Sequence, residues 1–239
     1  MSFNKNEWNN EELCELSTFL LRNKRSEKNI LFEKKIVNTK LNCYAIKTDV
    51  INSIVKEILK GNYISFLNNC RIADYPTSII YGKVLVSLTD FSTFIKFFEK
   101  YSFYIDCWAH CDIFKLKVKS LGVSNVKLFV NNCLKSCNEF IRRIGVIILL
   151  KNFISDNEID FVFSTISKMN NEKKYYVNMA IAWLLCDCFI KQREKTLNFI
   201  KNNTVNNFVF NKFVSKCCDS FRVNNEDKQT LMLMKKEGL

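Results

Sequence analysis

The stretch Val50-Ile51-Asn52-Ser53-Ile54-Val55-Lys56-Glu57-Ile58-Leu59 repeats apolar pairs at intervals of three and four residues. That spacing puts Val50, Ile51, Ile54, Val55, Ile58 and Leu59 on one face of an α-helix, whereas a half-buried strand alternates every second residue. The same rhythm continues outward. Leu13, Leu16, Phe19 and Leu20 form a stripe on the N-terminal side, and Val126, Phe129, Val130 and Leu134 form one on the C-terminal side. Polar breaks separate the stripes near residues 23–27, 60–63, 70–75, 88–91, 100–104, 120–124, 155–158, 170–173, 202–207 and 223–226. Asp74-Tyr75-Pro76 places the only proline at a helix start, where its missing N–H costs nothing. Ser124 is expected to cap the helix holding Val126–Leu134, and Ser155 or Asp156 a later one. The pattern predicts roughly eleven to thirteen helices of about 10–18 residues. Paired helices repeating every ~35–45 residues point to a HEAT-like α-solenoid of antiparallel pairs. A globular multi-helix bundle fits the same rhythm. No Pro/Gly/Ser linker divides the chain, so residues 1–239 read as a single domain.

Scarcity sharpens the all-α assignment. The 239 residues include five Gly, one Pro and one His. Gly61, Gly82, Gly122, Gly145 and Gly238 form neither GxGxxG nor GxxxxGK[ST], which excludes the common phosphate-cradling loops. All-β domains need frequent Gly/Pro turns, and these are missing. A hydrophobic content of 48% suffices for a core at this length.

The polar N-terminus has no signal core, and the apolar runs Ile144–Leu150 and Met179–Leu185 are too short to span a bilayer. The expected location is cytoplasmic. The 11 Cys then read as reduced thiols. Cys107 and Cys111, four apart with His110 between them, suggest a metal site on paper. Buried Cys more often serves as a small hydrophobe, so neither metal nor cofactor is expected.

The net charge is +12, unevenly spread. Residues 1–112 carry 15 basic and 13 acidic side chains, and residues 113–239 carry 21 and 11. A polyanion such as nucleic acid suits the basic half. With 29 Asn beside the many Lys, the same bias also fits an AT-rich coding sequence and an idle basic surface.

Four segments carry the chemistry. Ile105-Asp106-Cys107-Trp108-Ala109-His110-Cys111-Asp112 places Trp108 and Asp112 four apart, on one helical face. The segment Phe140–Ile154 opens an apolar helix with Arg142 and Arg143, and Tyr175–Lys191 holds Trp183 in another. The fourth is Phe213–Lys228. Taken singly, each Trp reads as core and each charge as surface. A single His makes a Ser-His-Asp or Cys-His hydrolase improbable, and no HxE zinc-deaminase cluster occurs.

Taken together, these segments resemble the DNA alkylation repair family typified by the AlkD glycosylases, from about residue 40 to the C-terminus. The resemblance implies a HEAT-like fold and hydrolysis of the N-glycosidic bond of cationic alkylated purines, N3-methyladenine and N7-methylguanine. It implies double-stranded DNA as partner, with no metal, no cofactor and no membrane, and a monomer. Asp112 matches the family's catalytic carboxylate. Trp108 and Trp183 match the aromatic pair that flanks the lesion-bearing nucleotide. Arg143 matches the arginine that secures the DNA backbone. Arg142, Lys151, Lys191 and Lys216, with Lys174 and Arg222, are further candidate phosphate contacts. The family also has DNA-binding members without glycosylase activity, so a catalytically inactive protein of this fold that binds bent or branched DNA is the alternative, and a HEAT-like protein-binding scaffold is a third class.

The sequence departs from the family pattern in two places. Where members carry G-[VI]-R-x-P-x-[LI]-R, this chain has Ala45-Ile46-Lys47-Thr48-Asp49-Val50-Ile51-Asn52. Ala45 replaces Gly, Asp49 replaces Pro, and Asn52 removes a cation. Asp49 still suits a helix start. His110 stands where a small or apolar residue is expected, as a neutral helix position or as an alteration of the site.

Overall fold

In the computed structural model, which describes residues 2–202 and 205–235, fifteen α-helices and no strands occur among the described residues. The chain is all-α, as its periodicity predicts. The helices are more numerous and shorter than expected, from the four residues Val118–Leu121 to the seventeen residues Tyr175–Lys191. Gly238 and residues 203–204 of the expected 202–207 break lie outside the described residues.

The chain forms two compact units, one ending at Asn125 and the other beginning at Val126. The first holds α1 (Asn10–Arg22), α2 (Glu27–Val37), α3 (Thr48–Ile58), α4 (Tyr63–Asn69), α5 (Tyr75–Leu85), α6 (Phe91–Ser102), α7 (Trp108–Asp112) and α8 (Val118–Leu121). The boundary falls inside α9 (Val123–Leu134), which explains why no break in composition marks it. The second unit holds α10 (Glu139–Asn152), α11 (Ile159–Ile166), a 3-10 turn (Ser167–Met169), α12 (Tyr175–Lys191), α13 (Arg193–Asn202), α14 (Asn207–Asp219) and α15 (Asn225–Leu233).

Each unit is built around one helix that is apolar on nearly all sides, the pattern of an element surrounded by others. In the first unit this is α5, which packs against α3, α4, α6 and α7. It starts as the sequence predicts. Asp74 accepts the Thr77 N–H at 2.8 Å, and Pro76 occupies the first turn. Gly82 allows its close packing, because a Cβ there would lie 2.6 Å from the Tyr101 hydroxyl and would collide with Ile113. In the second unit the central helix is α12, packed against α10, α13 and α14. Gly145 of α10 gives a similar close approach, with an added Cβ 2.8 Å from Leu134.

Two expected caps are not used. Ser124 lies inside α9, which already begins at Val123 directly after the positive-φ Gly122. Ser155 serves the start of α11 through its backbone carbonyl, which accepts the N–H groups of Glu158 and Ile159. Asp156 makes no cap, since Glu158 precedes the first residue of α11.

The start of α12 is fixed by the loop residue Glu172. Its carboxylate accepts Arg142 Nε at 2.7 Å and Nη2 at 3.1 Å, and also the N–H groups of Lys173 and Lys174. Its carbonyl accepts the side-chain amides of Asn178 and Asn206. Burial raises the Glu172 pKa, but the Arg142 fork and the two N–H donors outweigh it and hold the carboxyl below its ordinary range. Its stabilising contribution is therefore complete above the unfolded pKa and is lost as pH falls through the folded one. Glu172→Gln is expected to lower unfolding free energy near neutral pH by about 3 kcal/mol. The gap between wild type and variant in urea midpoints should close below about pH 4. A gap that persists unchanged at acid pH would rule out this role.

Candidate active site

The site residues of the first unit lie on α7. A five-residue helix has little stability of its own, so its placement depends on tertiary contacts. The Trp108 indole Nε1–H donates to the carbonyl of Ile36, near the C-terminal end of α2, at 3.0 Å. Trp108 also packs on the cluster of Ile30, Val37, Cys43, Ala45 and Cys107. Trp108, Ala109 and Asp112 are half-buried, while His110 and Cys111 point inward and are fully buried. Trp108 and Asp112 therefore share the open side of the helix, as their spacing predicts.

Beneath them lies a polar knot that the sequence does not announce. Asp106 accepts the Thr39 hydroxyl at 2.8 Å and the Lys40 N–H at 2.7 Å. His110 Nδ1 lies 3.4 Å from Asp106 Oδ1, 3.4 Å from the Asp106 N and 3.5 Å from Cys107 Sγ. On its other side, Nε2 lies 2.7 Å from the hydroxyl of Ser78 on α5. That hydroxyl donates to the Tyr75 carbonyl at 2.6 Å, so it accepts Nε2–H from His110. Burial works to raise the Asp106 pKa, yet His110, Lys40 and Thr39 hold it low. Burial pushes the Cys107 thiol up to about 12. His110 is thus neither a neutral helix position nor a member of the open face. It ties α7 to α5 and to the 39–40 loop.

An open cavity of about 510 Å³ adjoins Trp108, lined also by Arg25, Phe32, Ile36, Lys47 and Asp49. Its wall includes the stretch in which this chain departs from the family pattern. Ala45 has φ 54°, the left-handed region natural to glycine. Its N–H is held by Glu33 at 2.8 Å, which keeps the backbone there despite the Cβ. Asp49 lies in the first turn of α3, where its charge suits the helix dipole.

In the second unit, α12 between its exposed end residues Tyr175 and Lys191 is buried except along Tyr176, Met179, Trp183, Asp187 and Ile190, a single stripe at helical spacing. Trp183 is the centre of that stripe. Asp187, one turn on, accepts Arg222 at 2.9 Å. Trp8, by contrast, is fully buried against Phe3 and Phe66. One tryptophan of three is thus core, and the two singled out from the sequence are not.

The two arginines of α10 behave differently from the sequence expectation. Arg143 is buried, with 6% exposure, and donates to the Tyr176 carbonyl at 2.6 Å. Arg142 is engaged by Glu172 and by the carbonyls of Ser136 and Cys137. Both guanidiniums thus fix the start of α12, about two turns or more before Trp183. Lys151 is half-buried near the end of α10, Lys191 is exposed at the end of α12, and Lys216 is half-buried on α14. Lys174 is exposed just before α12.

Residues 19–211 match the family described as DNA alkylation repair enzyme. The chain belongs to this family. No curated protein matches the chain. Membership makes its general function DNA alkylation repair and agrees with DNA as its partner. No helix among the described residues is long and apolar enough to cross a membrane.

Sequence reasoning missed Ile36, Thr39, Lys40 and Ser78, which orient α7 through hydrogen bonds. Ile36 and Lys40 act through backbone groups, which leave no mark on side-chain pattern. The spacing of Asp106 and His110, four apart, was the one available signal. At Ala45, substitution by glycine removes the cost of a Cβ at positive φ. Ala45→Gly is expected to stabilise the protein by about 1 kcal/mol, read as a higher urea midpoint. An unchanged or lower midpoint would show that Ala45 carries no such strain.

Proposed function

We propose that the chain is a DNA glycosylase that hydrolyses the N-glycosidic bond of cationic alkylated purines, such as N3-methyladenine and N7-methylguanine, in duplex DNA. The observation that carries this reading is the treatment of the tryptophans. Trp108 is held half-exposed by a hydrogen bond to Ile36, on the same side of α7 as Asp112, and Trp183 centres the only open stripe of α12. Trp8, by contrast, is fully buried.

The chemistry asks little of the protein. The alkylated base already carries positive charge, so it leaves without strong general-acid help. As the C1′–N bond breaks, its electron pair passes to the base, which departs neutral, and the positive charge moves onto the sugar. Asp112 stabilises that oxocarbenium-like charge electrostatically. The faces of Trp108 and Trp183 favour a nearby cation, each by about 0.5–2 kcal/mol. Water adds to C1′ and releases its proton to solvent. Arg143 is the proposed backbone contact, with Lys151, Lys191 and Lys216 as further phosphate contacts. Arg142, locked to Glu172, supports α12.

A second reading, a DNA-binding member without base release, is favoured by the internal commitments of Arg142 and Arg143 and by the altered stretch at Ala45. The deciding experiment measures release of N7-methylguanine from methylated duplex DNA, together with DNA binding across a salt series. Wild type is expected to release base, and Asp112→Asn to lower the rate about 100-fold or more while leaving the thermal midpoint and the salt slope unchanged. Equal release by wild type and variant would remove Asp112 from the reaction. Salt-sensitive binding without release by wild type would establish the second reading.

A further inference from the structure

The polar knot under α7 has the composition and spacing of a metal site. We infer that Asp106, Cys107 and His110 bind one zinc ion, which clamps α7 and thereby steadies Trp108 and Asp112. The ligand atoms of these three residues lie within 4.8 Å of one another. Zinc bonds are about 2.3 Å to thiolate and about 2.0–2.1 Å to imidazole or carboxylate. A tetrahedral angle then separates sulfur from nitrogen by about 3.6 Å and nitrogen from oxygen by about 3.3 Å. The protein sets Cys107 Sγ to His110 Nδ1 at 3.5 Å and Asp106 Oδ1 to His110 Nδ1 at 3.4 Å.

The surroundings are arranged for a cation as well. The Ser78 hydroxyl accepts Nε2–H, so Nδ1, which faces Cys107 and Asp106, is the nitrogen that would ligate the ion. Metal-bound histidines are oriented by such a bond on the far nitrogen. Thr39 and Lys40 fix the carboxylate in the same way. His110 and Cys107 are almost fully buried, whereas the Asp106 side chain keeps 23% of its exposure, which gives an entry path and a fourth position for water. Charge balances too. The Cys107 S–H loses its proton to solvent as the S–Zn bond forms. One thiolate and one carboxylate then neutralise Zn²⁺, so no net charge is buried. The contact of the Asp106 N–H with Nδ1, at 3.4 Å a weak one, is given up. Thiolate with imidazole favours zinc over magnesium or calcium.

This site differs from the Cys107, Cys111 and His110 set considered from spacing. The Cys111 thiol is directed to the Cys107 carbonyl at 3.4 Å, and Asp106 takes its place. The inference does not depend on the glycosylase reading, since the ion would serve structure and not the reaction.

The test uses the full-length protein, freed of metal by dialysis against a chelator and titrated with Zn²⁺ against a chromophoric competitor. One zinc per chain is expected, with a raised thermal midpoint. Co²⁺ in place of zinc should give a thiolate-to-cobalt charge-transfer band. Cys107→Ser should abolish that band and stoichiometric zinc binding. Cys111→Ser should retain both, and Ser78→Ala should weaken zinc binding by about 10–100-fold. The wild-type cobalt spectrum needs no variant to fold, and a spectrum without the charge-transfer band would overturn the inference. So would a Cys107→Ser protein that binds zinc as tightly as wild type. Base release plays no part in these readings, so failure here leaves the assignment of Asp112 standing.

Discussion

The fixing of α7 is the constraint on which the first half of the candidate site depends. Five residues cannot hold themselves as a helix in water. Three attachments hold these: the Trp108 indole on the Ile36 carbonyl, His110 on Ser78, and Asp106 on Thr39 and Lys40. The His110–Ser78 contact is buried, where a donor or acceptor left unpaired costs about 1–3 kcal/mol. That penalty makes the arrangement well defined. It also explains the position of Asp112, which follows the inward-facing His110 and Cys111 and so comes out on the open side with Trp108.

The second unit reaches a comparable result by other means. Here a long, apolar α12 is surrounded by α10, α13 and α14, and only one stripe is left uncovered. Cations at its start do the orienting. Arg142 reaches α12 through Glu172, and Arg143 through the Tyr176 carbonyl. Guanidinium suits this work because its planar fork satisfies several acceptors at once. The same commitments bear on DNA binding, since a guanidinium engaged with a carboxylate is a weaker phosphate ligand than its charge suggests.

Much of the fold was legible from residues alone. Spacing identified the helices, and Asp74-Tyr75-Pro76 begins α5 as its chemistry requires. The breaks at 38–47, 113–117 and 135–138 went unseen. Two of them flank the candidate site, and the reason is physical. In the first, Cys43 and Ala45 are buried, so an irregular segment carries core residues and is not marked off by a polar composition. Ser124 and Ser155 showed a different weakness. A capping residue type is common in any loop, and only backbone geometry tells whether its side chain is used. Within the site, Trp108, Asp112 and Trp183 could be picked out as residues. Their exposure could not, because an amphipathic helix gives no warning of which tryptophan its neighbours will leave uncovered.

The sequence by itself determined an all-α chain, an uneven basic charge and a set of segments that resemble DNA alkylation repair proteins. These follow from local periodicity and residue type, which need no knowledge of neighbours. Tertiary structure alone decided that Trp8 is core while Trp108 and Trp183 are not, that Arg142 belongs to Glu172, and that His110 faces Asp106 and Cys107. Most of these depend on groups brought together from distant positions, Ser78 to His110 or Arg142 to Glu172. Such pairings arise only when helices pack, because packing removes water and obliges every buried polar group to find its partner.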